Sequence, residues 1–137
     1  MEVALLPDDV LGHYSEPEPL VLIVEDSTKD THPVRDILQT AGYCTQLAQD
    51  GSDALRIARE MHPSLIVTDV QLVGMDGLSL ARELKSVPET ASIPVVAVSS
   101  QGSEEERLEA LASGCCGFIA RPFRYRTFLT EVTNALQ

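Results

Sequence analysis

The sequence predicts a doubly wound α/β domain: a five-stranded parallel sheet in the order 2-1-3-4-5, with five helices covering its two faces. Two observations predict it. Five short apolar runs recur along the chain, and each is followed by a stretch of helical periodicity. The crossovers, about 20 to 28 residues each, are long enough to carry a helix and return to a parallel neighbour. The order is the common solution at this size.

The elements follow in turn. Leu20-Val21-Leu22-Ile23-Val24 is continuously apolar, as expected of a strand buried on both faces. The next stretch puts Val34, Ile37, Leu38 and Ala41 on one helical face and ends at Gly42. Pro33 falls within it. An interior proline costs ~3 kcal/mol, whereas at the first helical position it costs almost nothing. The regular helix therefore starts near His32 or bends there after an irregular turn. Tyr43 to Ala48 reads as a second, more polar strand. Asp50 is the expected N-cap of a helix with Ala54, Leu55, Ile57, Ala58 and Met61 inward, and Pro63 stops it.

Leu65-Ile66-Val67-Thr68 is the third strand, and Asp76-Gly77 opens a helix reaching about Lys85, with Leu78, Leu80, Ala81 and Leu84 inward. Pro94 to Val98 is the fourth strand. Ser103-Glu104-Glu105-Glu106 has capping-box spacing ahead of a helix that runs to Ala112 and closes at Gly114. Phe118-Ile119-Ala120 is the fifth strand, and Tyr125 to Leu136 the last helix.

Residues 1–19 differ in character. They hold Glu2, Asp8, Asp9, Glu16 and Glu18, no Lys or Arg, and prolines at 7, 17 and 19. They read as an acidic, flexible extension, and residues 20–137 as the folded domain. A formal net charge of -11 argues against nucleic acid and against an anionic membrane surface as direct partners. No apolar run approaches the ~20 residues that span a bilayer, and no secretion signal is evident. Cys44, Cys115 and Cys116 show no metal spacing and read as free buried thiols of a reducing cytoplasm. His13, His32 and His62 are scattered and expected at the surface. Hydrophobic residues make up 44% of the chain but tryptophan is absent, so the core is expected to be aliphatic.

Ligands in doubly wound sheets bind beyond the carboxyl ends of the strands, where the order reverses. Those ends carry Glu25-Asp26, Asp69, Ser99 and Arg121. Singly, each has a bland reading as a helix-start charge, a turn former, a cap or a surface cation. Jointly they are specific. Clustered carboxylates repel unless a cation neutralises them, and an all-oxygen set selects a hard dication, Mg²⁺ where phosphate is the substrate. Asp26 and Asp69 are the expected direct ligands, Glu25 holds an ion-bound water, and the Gln71 carbonyl contributes a further oxygen. Asp69, at the tip of the central strand, can act as a nucleophile toward phosphorus. Ser99 and Arg121 would offset charge on the phosphoryl oxygens.

VLIVEDS, LIVTDVQLVGMDG, PVVAVSS and GFIARPF together resemble the receiver domain of bacterial two-component response regulators, a flavodoxin-like fold, over Leu20 to Gln137. The resemblance implies phosphotransfer from a histidine kinase, or a phosphotransfer protein, to Asp69 with Mg²⁺. It implies that Ser99 turns toward the phosphoryl group, that Phe118 repacks behind it, and that the surface of the last two helices and last strand is then read by a protein partner or fused output domain. It implies a cis bond before Pro122 and a signalling protein rather than an enzyme. Two positions depart from the family. Arg121 stands where lysine is usual, and a guanidinium is a wide planar fork, not a point charge. It can pair with Asp69 or a phosphoryl oxygen, or swing aside. Val73 stands where proline is usual, which loosens the loop.

The alternative is a receiver-fold interaction module that works without phosphorylation. An enzyme on a similar sheet is disfavoured: no Gly-rich turn follows the first strand, and no pair of aspartates stands one residue apart there. Glu104 to Glu106 read as a helix-start charge cluster. Arg124 and Arg126 read as solvated, or as meeting an acidic partner or a second copy in a homodimer. Gln71 and Gln101 flank the site.

Overall fold

The structure, a computed structural model, describes residues 19–25 and 32–137. The strands are β1 (Leu20–Val24), β2 (Cys44–Ala48), β3 (Leu65–Asp69), β4 (Val95–Ser99) and β5 (Gly117–Ala120). The helices are α1 (Pro33–Thr40), α2 (Gly51–Met61), α3 (Gly77–Ser86), α4 (Glu104–Ala112) and α5 (Tyr125–Leu136). All pairings are parallel, and the sheet order is β2-β1-β3-β4-β5. The predicted architecture and order are observed.

Continuous apolar strands serve two cores at once, because successive side chains alternate between faces. Val21, Ile23, Leu65, Val67, Val96, Val98 and Ile119 pack with Val34 and Leu38 of α1 and Phe128 and Val132 of α5. Leu22, Val24, Ile66, Val95 and Ala97 pack on the other side with residues of α2, α3 and α4. The core is aliphatic apart from Phe128, which is fully buried and stacks on Phe123 with centroids 5.1 Å apart. Burial at ~25 cal/mol per Å² of apolar surface is what holds these layers together.

The helix starts follow the sequence closely. Asp50 and Asp76 cap α2 and α3, their carboxylates accepting from Asp53 N and Ser79 N at 2.8 Å. Pro33 is at the first position of α1, where its missing N–H costs nothing. Helix α2 ends at Met61, with His62 left-handed at φ 47° and Pro63 beyond.

Four expectations are corrected. Ala41 caps α1 and is exposed, because the helix ends at Thr40, two residues before Gly42's positive φ. Met61 is 46% exposed: it is the last residue of α2, beyond the buried Ile57 and Ala58. Of the cysteines only Cys115 is buried; Cys44 starts the edge strand and Cys116 faces outward. His32 is half-buried against Glu25, while His62 is exposed and His13 lies outside the described residues. Burial lifts the Cys115 thiol to about 11. Among the described residues no helix is long and apolar enough to cross a membrane.

Candidate functional site

Parallel register brings the strand ends to one edge. Val24 pairs with Thr68, so Glu25, just past β1, and Asp69, the last residue of β3, follow next in register. Asp69 pairs with Val98, and Ser99 with Ala120. The Arg121 amide donates to the Ser99 carbonyl at 2.7 Å, which ties the tip of β5 to the tip of β4.

Asp69 is 6% exposed and Glu25 3% exposed. Ionised carboxylates this deep are costly unless paired. Arg121 Nη2 donates to Asp69 Oδ1 at 2.8 Å. The wide guanidinium thus reaches Asp69 and does not swing aside. Glu25 Oε1 is engaged by His32 Nδ1, a partner the sequence reading missed. The available signal was Pro33: it fixes the helix start and leaves His32 over the strand end. The bond before Pro122 is cis, as expected.

Two glycines make the geometry possible. A Cβ on Gly77 would lie 2.0 Å from the Asp69 carbonyl oxygen, so only glycine lets α3 start directly against the β3 tip. Gly102, at φ +64°, brings the loop after β4 onto Ala120, where a Cβ would meet the alanine side chain at 2.5 Å.

Ser99 is fully buried. Its hydroxyl oxygen accepts from Gln101 N at 3.0 Å and Gly102 N at 3.1 Å, and the hydroxyl donates to Glu106 Oε1. Glu106 also takes the Gln71 side-chain amide at 3.3 Å. Glu106 is therefore not merely one of three helix-start charges. Glu104 is: Arg107 bridges it on the α4 surface and lowers its pKa. Phe118 is half-buried against the core cluster on the α2–α4 face. Val73 is 77% exposed in the loop after β3. Arg124 and Arg126 are exposed.

The edge thus joins Asp69 to Arg121, places Glu25 and Ser99 on the flanking strands, and sets Gln71 in the adjoining loop. Asp26 lies outside the described residues. Among the described residues no three His, Cys, Asp or Glu side chains form a metal-holding group. Glu25, Asp69 and the Gln71 carbonyl offer oxygen atoms alone, a chemistry that fits a hard dication.

Comparison with known proteins gives the same picture. The response regulator receiver domain profile matches residues 21–133. The polar-differentiation response regulator DivK of Brucella ovis is 36% identical over 118 residues, spanning 85% of this chain and 94% of its own. The chemotaxis protein CheY4 of Vibrio cholerae superposes with a TM-score of 0.80 at 28% identity, covering 88% of this chain and 100% of that one. The receiver domain of the sensor histidine kinase PA1611 from Pseudomonas aeruginosa PAO1 superposes with a TM-score of 0.79 at 24% identity, covering 88% and 98%, a likeness of fold alone. That structure has a magnesium ion coordinated in its active-site cleft. With a matching profile over most of its length and a curated relative above 30% identity, the chain belongs to the response regulator receiver domain family.

Proposed function

We propose that residues 20–137 form a signalling receiver that accepts a phosphoryl group on Asp69 from a phosphohistidine of a kinase or phosphotransfer protein. The reading rests on one observation above all: a buried carboxylate at the tip of the central strand, held by Arg121, with Ser99 on the next strand end. In the transfer an Asp69 carboxylate oxygen attacks phosphorus, the P–N bond breaks, and its electron pair leaves with the imidazole. The product is an acyl phosphate on Asp69. Arg121 is placed to follow the charge from carboxylate to phosphoryl oxygen, and a charge-assisted bond of this kind is about twice as strong as a neutral one. Ser99 would donate its hydroxyl to another phosphoryl oxygen.

Glu25, Asp26, Asp69 and the Gln71 carbonyl would hold Mg²⁺, which when bound neutralises the phosphoryl oxygens. The chain then acts as a cytoplasmic signalling component and not as an enzyme. Its α4-β5-α5 surface, with Phe118 as the repacking aromatic, passes the signal to a protein partner. Residues 1–18, read from the sequence as an extension, lie outside the described residues.

The test is intact-protein mass after incubation with acetyl phosphate. One phosphoryl group should be gained with Mg²⁺, and none after chelation or in Asp69→Asn. The arginine at 121, where lysine is usual in the family, favours a second reading, an interaction module needing no phosphoryl group. No mass gain under any condition, with native folding, would select it.

A further inference from the structure

The capping box expected at Ser103 to Glu106 is half formed. Ser103 Oγ accepts from Glu106 N at 3.1 Å. The Glu106 carboxylate, which in a capping box turns back to the N-cap amide, goes elsewhere. One oxygen takes the Ser99 hydroxyl and the other the Gln71 amide. A single carboxylate on the first turn of α4 therefore ties the loop beyond β3 to the last residue of β4.

A serine hydroxyl has one proton to donate and two lone pairs to accept with. In Ser99 all three are used: the proton on Glu106, the lone pairs on the amides of Gln101 and Gly102. Donation to a phosphoryl oxygen on Asp69 requires that proton to leave Glu106. The carboxylate and the phosphoryl group are then competitors for one hydroxyl.

We propose that Glu106 is a positioning residue: it latches the Ser99 hydroxyl and the Gln71 amide in the unmodified chain, and phosphorylation works against that latch. The proposal rests on Asp69 being the phosphoacceptor. It gives α4 a direct stake in the state of the site, because the group released from Ser99 belongs to the helix itself. A ligand shifts such an equilibrium only by its different affinity for the two states, and the latch is part of that difference.

The experiment titrates the full chain with beryllofluoride in Mg²⁺, a mimic of the phosphoryl group. Glu106→Ala should tighten binding about tenfold or more, the scale of one hydrogen bond to a charged group. Ser103 still caps α4 in this variant, so the fold is kept. In a Ser99→Ala background the same change should tighten binding less than about twofold, since no hydroxyl remains to be released. Equal tightening in both backgrounds means plain charge repulsion and overturns the latch, as does no tightening at all.

A second readout needs no phosphoryl mimic. Amide hydrogen exchange at Gln101 and Gly102 should accelerate in unmodified Glu106→Ala and return to the native rate in Glu106→Gln, whose amide oxygen still accepts from Ser99. Unchanged exchange overturns the latch whatever the titration gives. Accelerated exchange with no beryllofluoride binding by the native chain supports the hold on Ser99 and instead removes the phosphoacceptor reading.

Discussion

The Arg121 guanidinium donates to Asp69 Oδ1 at 2.8 Å, joining positions 52 residues apart at the tips of β5 and β3. The carboxylate is nearly buried and the guanidinium about a quarter exposed, at 7% and 27%. Arg121→Ala removes a charge-assisted bond to a nearly buried carboxylate. A loss of about 1–3 kcal/mol in urea unfolding is expected, with phosphorylation by acetyl phosphate slowed roughly tenfold or more. Arg121→Lys should recover most of the rate, because a point charge still reaches the carboxylate, without restoring the forked geometry.

Gly77 is required by a contact and not by a turn. Gly77→Ala would press a methyl group against the Asp69 carbonyl from 2.0 Å. Backbone on both sides has little room to yield, so a destabilisation of about 3 kcal/mol is expected. Thermal unfolding measures it, and phosphorylation of Asp69 should fall with it because the strand tip moves.

The caps of α2 and α3 allow a calibrating comparison. Asp50→Ala and Asp76→Ala each remove a carboxylate bonded to a helix-start amide at 2.8 Å. Each should cost about 1 kcal/mol in chemical denaturation. Only Asp76→Ala should also alter phosphorylation, since α3 starts against Asp69 and α2 does not.

Cys115 sets a pH limit at the alkaline end. Its thiol is raised from the ordinary 9.0 to about 11, mainly by burial. The folded state thus keeps a proton that the unfolded chain loses. Its contribution is fully present below about pH 9 and is lost as pH rises toward 11, amounting to about 2–3 kcal/mol. Cys115→Ala should flatten that fall in a pH series of unfolding curves. Native protein treated with iodoacetamide at pH 8 should be modified at exposed Cys116 well before Cys115.

Much of this was legible in the chain itself. Strands buried on both faces read as unbroken apolar runs, so β1, β3 and β4 stand out. Asp50, Asp76 and Ser103 announce helix starts because their side chains complete a local bond. The strand-end row of Glu25, Asp69, Ser99 and Arg121 follows from topology once the crossovers are counted. What spacing does not reveal is choice among partners. Glu106 is placed correctly for a capping box, yet its carboxylate selects Ser99 and Gln71, the latter 35 positions away. His32 reads as a scattered surface histidine, and its pairing with Glu25 depends on how the chain re-enters over the strand end. Met61 and Ala41 continue apolar helical faces but stand at helix ends, beyond the last buried residue of each helix.

The central claim is that Asp69 carries the phosphoryl group, and residue-level trapping tests it most directly. Full-length protein treated with acetyl phosphate and Mg²⁺ is reduced with borohydride, which turns a phosphorylated aspartate into homoserine, and peptides are sequenced by mass spectrometry. The account predicts homoserine at position 69 and nowhere else. Homoserine at another carboxylate, or none at any position in a folded, Mg²⁺-supplied sample, contradicts it.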